Sequence, residues 1–229
     1  MNVLLVFNRA SVVRFYWIIG FINLGFITMT ALRDIGVLPD RYRYTIWDLK
    51  EEGNLAVWYS SLLLSLCALA SAVAASRKDM VLQSVERWFF AGLAAAFLLL
   101  SMDEAASIHE HVGRNVSREA LGSNALTDKN PAFAWVLVYA PLALVFSALT
   151  LYAASRWRDD YRRSSKLMAL AIACWLGVFV AEAGEAWLLA QGWNRGLQGT
   201  LEEGLEIVGS TLFLIALLEL FHPTPETLQ

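Results

Sequence analysis

Residues Trp88 to His111 read WFFAGLAAAFLLLSMDEAASIHEH. Thirteen apolar or small residues run without a charge from Trp88 to Leu100, and then a cluster of acids and imidazoles begins. A soluble helix would carry polar residues on its outer face throughout such a stretch; a helix surrounded by lipid has no need of them. Similar stretches recur near 12–32, 55–75, 87–107, 133–155, 166–190 and 200–221, each close to the ~20 residues needed to cross the hydrocarbon of a bilayer. Over the whole chain 57% of residues are hydrophobic and only 17% charged, so a soluble fold would require an unusually apolar exterior. The sequence therefore predicts an all-α polytopic transmembrane bundle of about six spans, forming one integral membrane domain over 1–229.

The first span follows Arg9 and Arg14 and has the look of a leader, but it is long, aromatic and lacks a small-residue cleavage site at Met29-Thr30-Ala31, so it is read as a retained helix. Cys67 and Cys174 fall inside spans with no C-x-x-C spacing, as packing residues would. Arg77, Lys78 and Arg87 lie between spans two and three. Arg156, Arg158, Arg162, Arg163 and Lys166 lie between spans four and five. By the positive-inside rule these loops and both termini face the cytoplasm, which suits a multi-pass protein of a bacterial inner membrane. The loop between spans one and two mixes Arg33, Arg41, Arg43 and Lys50 with Asp34, Asp40, Asp48, Glu51 and Glu52. Trp17, Trp58, Trp88, Trp135, Trp157 and Trp187 fall near span ends, where indoles anchor at the interface. A net charge of -3, with basic residues scattered in short loops, excludes a nucleic-acid surface.

The acids converge on one side. Asp103, Ser107 and Glu110 share a helical stripe at the end of span three, with Glu104 and His111 on the adjacent one; His109 points away unless the helix breaks. Glu182 and Glu185 form an i, i+3 pair near the end of span five. Glu203 and Glu206 form another at the start of span six, beside Glu202. With helix directions alternating, all three ends lie at the extracytoplasmic boundary. An ionised carboxylate at the bilayer centre costs ~2.5–3.5 kcal/mol on insertion scales, and like charges at close range need a proton, a base or a cation between them. Interfacial solvation accounts for any one of these acids, and the helix dipole favours Glu202 and Glu203. Paired acids from three helix ends point instead to a shared site. Bases are scarce nearby, with Arg114, Arg118 and Arg195 the nearest in sequence. Glu52 and Asn54, around the turn at Gly53, cap span two or supply oxygen contacts.

Glu52-Gly53-Asn54 with Trp58 and Ser60, Ser101-x-Asp103-Glu104-x4-His109-Glu110, and Glu202-Glu203-x-x-Glu206 resemble a group of uncharacterised bacterial multispanning membrane proteins. The resemblance implies that His109 rather than His111 belongs to the motif. Trp47-Asp48, Glu52-x-Asn54 and Asp103-Glu104 are similar to segments of alkaline ceramidases, zinc-using membrane hydrolases that cleave a lipid amide. The paired histidines of that family's last span are absent, and Glu203 and Glu206 stand there instead. Glu202-Glu203-Gly204-Leu205-Glu206 resembles the Arg-Glu-Gly-Leu-Glu motif of iron permeases, with Glu202 in place of the arginine.

These readings lead to a metal-dependent membrane enzyme of hydrolase type acting on a lipid-like substrate. Asp103, His109, Glu182, Glu185, Glu203 and Glu206 would be ligands to zinc, iron, manganese or calcium. Glu104, Glu110 and His111 would move protons, and Glu52, Asn54, Ser107 and Glu202 would contact substrate or support the ligands. Two other readings use the same residues. A carrier of divalent iron or manganese would need its polar path to continue past Asn23, Ser65 and Ser71, which stand among apolar neighbours. A non-catalytic subunit of a membrane complex would use the acidic rim for docking.

Overall fold

The computed structural model describes residues 9–38, 46–77, 84–121, 134–191 and 197–221. Lys78, Asp40, Arg41, Arg43 and Arg195 lie outside the described residues. The chain is all-helical: α1 (Arg9–Asp34), α2 (Leu55–Ser76), α3 (Ser84–Ala106), the short α4 (Ile108–Val116) running into a π-helical turn at Ser117–Leu121, α5 (Trp135–Arg156), α6 (Arg162–Ala190) and α7 (Gln198–Glu219). Among the described residues five helices, α1, α2, α3, α5 and α6, are long and apolar enough to cross a membrane. The sixth expected span is α7. It is 22 residues long and buries Ile207, Phe213, Leu214 and Leu217 between its neighbours, but its first turns hold Glu202, Glu203 and Glu206.

Outward faces are apolar. On α1 they present Trp17, Ile18, Phe21 and Leu24, and on α5 Leu142, Leu144, Val145 and Leu149. Such surfaces are stable in hydrocarbon and costly in water, so the chain is a multi-pass membrane protein.

The closest pairings are α6 with α7 and α2 with α3; α7 also touches α1 and α2, and α5 leans on α6. Between lipid-embedded helices close packing rather than water exclusion holds the contact, and small residues permit the approach. A Cβ on Gly209 of α7 would collide with the Trp175 indole, and one on Gly177 of α6 would lie 3.1 Å from Leu205. Interhelical hydrogen bonds add direction: Ser164 Oγ donates to the Ala216 carbonyl and Ser165 Oγ to the Ala154 carbonyl, both at 2.8 Å. Ser101 Oγ donates to the Ser61 carbonyl at 2.9 Å and contacts Ser65 Oγ at 2.8 Å, which sews α2 to α3. Asn23 Nδ2 donates to Thr211 Oγ1 at 2.8 Å and Tyr59 OH donates to Asn23 Oδ1 at 2.9 Å. Cys67 is fully buried and free, as a packing residue; Cys174 is free and half-buried.

One end of the bundle gathers Tyr16, Arg163 and Glu219, with Tyr16 OH donating to Glu219 Oε1 at 3.2 Å and Arg163 Nη1 3.4 Å from the same oxygen. The start of α1, the start of α6 and the end of α7 therefore share a side. Of the tryptophans expected at span ends, Trp17, Trp58, Trp88 and Trp187 are exposed. Trp157 is instead buried, stacked on Phe90 at 5.0 Å with Nε1 donating to Glu86 at 2.8 Å, and Trp135 packs against His109. For these two, ring partners on neighbouring elements replace the interface.

Candidate functional site

Ser107 decides the local geometry. It sits between α3 and α4 with φ +50°, a left-handed conformation that costs a residue with a Cβ. Its Oγ donates to Glu52 Oε2 at 2.6 Å, and its carbonyl accepts from the amide and Nδ1 of His111 at 3.2 and 2.8 Å. On an unbroken helix positions 103 and 109 point about 120° apart. The break removes that separation: His109 Nδ1 lies 2.9 Å from Asp103 Oδ2. Asp103 Oδ1 also accepts from Tyr139 OH of α5 at 3.1 Å. The straight-helix expectation for His109 is thus corrected, and His111 is exposed, its ring engaged with backbone.

On the side away from Glu219 lies a cavity of about 790 Å³, within the range of small-molecule sites. Three groups of acids line it. Glu104 accepts from Ser60 and shares a hydrogen bond with Glu206, while Glu203 and Glu52 add their charges beside them. Glu182 and Glu202 are hydrogen-bonded to each other with Glu185 nearby, and Glu182 and Glu185 are only 7% and 4% exposed. Asp103 with His109 and Tyr139 forms the third. The expected convergence of three helix ends is present.

Loop 46–54 folds onto this end of the bundle. Asn54 caps α2, accepting from the Val57 amide at 3.0 Å and donating to the Asp48 carbonyl at 2.5 Å, and Gly53 supplies the turn with φ +70°. Asn54 thus has the capping role, whereas Glu52 reaches across to Ser107. The Leu49 amide donates to Thr30 at 3.1 Å, and Arg33 is ion-paired with buried Asp48. Lys50, whose stem crosses Gly199 next to Glu185, is paired through Nζ with Asp34, which also accepts from Thr200 at 2.5 Å. A base from this loop therefore reaches the cavity, one that nearness in sequence did not indicate. Arg114 lines it too but is paired with Glu110 of its own helix at 2.8 Å, and Arg118 is exposed.

His109 lies outside the spans. Burial among Trp135 and its neighbours depresses its pKa, but the hydrogen bond and charge of Asp103, with the charges of Glu206 and Glu110, outweigh this and raise it above the ordinary imidazole value. With Asp103 accepting at Nδ1, Nε2 is the nitrogen left for a ligand.

Beneath the acids Phe97, Phe146, Trp175 and Phe213, from α3, α5, α6 and α7, are in mutual ring contact at 5.1 to 6.2 Å. Phe146 and Trp175 floor the cavity, and Phe97 and Phe213 back them.

The chain belongs to the DUF8692 family, a domain of unknown function. The match spans residues 18–220, from within α1 to the end of α7, and so includes every residue lining the cavity. No curated protein and no solved structure matches the chain.

Among the described residues no three histidine, cysteine, aspartate or glutamate side chains stand in an arrangement ready to hold a metal ion. The donor chemistry nevertheless fits a hard cation. One proton accounts for the Glu104–Glu206 hydrogen bond, but Glu203 and Glu52 place further negative charge beside that pair, and carboxylate oxygens so gathered suit a hard cation. Sequence reasoning passed over Tyr139, Trp135, Lys50, Arg33 and Asp34. Tyr139 and Trp135 resemble ordinary interfacial aromatics, and the loop charges acquire partners only through tertiary contact.

Proposed function

We propose that this protein binds a divalent cation at the carboxylates of α3 and α7 and hydrolyses a lipid-like substrate from the extracytoplasmic half of a bacterial inner membrane. The observation that carries the reading is the Glu104–Glu206 contact, reinforced by Glu203 and Glu52, in a cavity whose bases Lys50 and Arg114 are already paired with Asp34 and Glu110. Glu104, Glu203 and Glu206 would hold the ion, and when bound it supplies a Lewis acid. Zinc, iron, manganese and calcium all accept oxygen donors, so the ligand types do not select among them.

Asp103 and His109 then leave the ligand set and act as a proton-transfer pair. Asp103 holds the ring through Nδ1, and Nε2 takes a proton from the attacking water and returns it to the leaving group. Tyr139 fixes the other oxygen of Asp103. Glu182, Glu185 and Glu202 remain to orient the polar end of a substrate. The acids lie opposite the end holding Arg163, Arg77 and Arg156, and that basic end supports a cytoplasmic assignment for both termini.

The carrier alternative needs a route past four contacting aromatic rings, an argument against it in this conformation. Elemental analysis of purified wild type beside Glu203→Gln tests the proposal. Stoichiometric divalent metal in the wild type, reduced at least tenfold in the variant, is expected; equal or absent metal in both refutes it.

A further inference from the structure

The cavity also has a side that faces lipid. α3 and α5 flank it but make almost no backbone contact with each other. At this end of the bundle two side-chain rungs join them: Phe97 against Phe146 at 6.2 Å below, and Tyr139 OH on Asp103 at 3.1 Å above. The rungs are six residues apart along α3 and seven along α5, a height of about 9–10 Å. Leu99 and Leu142 both line the cavity and are 65% and 66% exposed. Leucines so exposed while they line a cavity lie where it opens. Pro141 lies at the same level of α5 and lacks the amide that would bond to the Leu137 carbonyl, which loosens the helix beside the gap.

We propose that this gap is a lateral portal through which the alkyl chain of a single-chain amphiphile with an ammonium head enters from the bilayer. The chain lies between Leu99 and Leu142 above the aromatic floor, and the head lies among Glu182, Glu185 and Glu202. The portal opens at the depth of acyl chains, so its occupant is apolar there. Charge complementarity sets the head: the lining holds nine carboxyl groups, and with one proton shared within each of the hydrogen-bonded pairs Glu104–Glu206 and Glu182–Glu202 the remaining negative charges still exceed Lys50, Arg114, His109 and one divalent cation together. An anionic head is repelled. From Glu182 to Trp175 is seven residues, about 10 Å of helix, so the site covers the part of a chain next to the head while the remainder extends into lipid. This inference rests on the proposed substrate class but not on the metal or on hydrolysis.

The test uses the full chain in phosphatidylcholine nanodiscs with two photoreactive dodecyl probes, one an amine and one a sulfonate, and maps labelled peptides by mass spectrometry. The amine probe is expected to label Leu99, Leu142 and Trp175, at least tenfold more than the sulfonate probe does. Ala143→Trp, which fills the gap, should lower that labelling at least tenfold and leave metal content unchanged. Leu144→Trp, on the lipid face of the same helix, should not alter it. Labelling confined to outer residues such as Phe21 and Leu144, equal labelling by both probes, or labelling indifferent to Ala143→Trp overturns the proposal. The comparison of probes on the wild type stands even if Ala143→Trp fails to fold. Portal labelling in protein free of metal supports the portal while refuting the metal reading; bound metal without portal labelling does the reverse.

Discussion

Replacing Glu206 by glutamine separates a cation site from a structural carboxyl cluster, because the two readings predict opposite signs. Glu206 is in hydrogen-bond contact with Glu104, and Glu203 stands one turn away on the same helix. With both groups ionised, two unit charges about 4 Å apart interact by roughly 4 kcal/mol at an effective dielectric of about 20, which is the ceiling on what the substitution releases without metal; a proton held between them lowers that release. The glutamine amide still donates to Glu104, so that bond is kept and about half the ceiling, ~2 kcal/mol, is the expected gain. For a chain of this size each kcal/mol shifts Tm by about 2–4 °C, so the variant in EDTA should melt roughly 4–8 °C above the wild type. With metal the order reverses. A ligand present at a hundred times its Kd stabilises the folded state by about 2.7 kcal/mol, a gain the wild type makes and the variant largely forgoes. The assay is thermal unfolding in nanodiscs with EDTA and with manganese, zinc or calcium. A wild-type Tm indifferent to every ion, together with a variant that melts lower in EDTA, would refute the reasoning, since both results would mean that Glu206 is a satisfied hydrogen-bonding partner.

Three further outcomes are expected. Asp48→Asn breaks a buried ion pair with Arg33 and should cost about 3 kcal/mol, the low end for such pairs because Asp34 and Glu51 remain within 4.0 Å of the guanidinium; chemical denaturation measures it. Gly209→Ala sets a Cβ against a Trp175 ring already held by Phe97, Phe146 and Phe213, and an overpacking loss of about 1–3 kcal/mol with altered tryptophan emission should follow; an unchanged Tm would show that the ring yields. The raised pKa of His109 means that its charged pair with Asp103 contributes in full below pH 6.5 and is lost as pH climbs through the higher folded value. Hydrogen exchange of α4 amides in EDTA should therefore quicken, relative to the intrinsic rate, as pH rises, and His109→Gln should abolish that trend.

The apolar runs determined the helical membrane bundle by themselves, because in lipid every backbone amide must be satisfied within its own segment and a helix does this wherever the side chains are apolar. Alternation of helix direction was enough to bring Asp103, Glu104, Glu182, Glu185, Glu202, Glu203 and Glu206 to one end, since that follows from counting crossings. The Asn54 cap and the Gly53 turn were equally legible, being local hydrogen-bond and backbone preferences. The partners within the cluster were not. Whether His109 or His111 faces Asp103 turns on one left-handed residue, Ser107, whose strained backbone is held by Glu52 from 55 positions away. Lys50 and Arg33 read as loop charges until tertiary contact set them on Asp34 and Asp48; Trp135 read as an interface aromatic until His109 of α4 packed on it, and Tyr139 carried no signal until Asp103 stood opposite it. The gap between α3 and α5 has no signature in either helix, because an opening is a property of two surfaces and how far apart packing holds them. Periodicity along one chain specifies which face a side chain occupies; only the assembled bundle decides what stands opposite it.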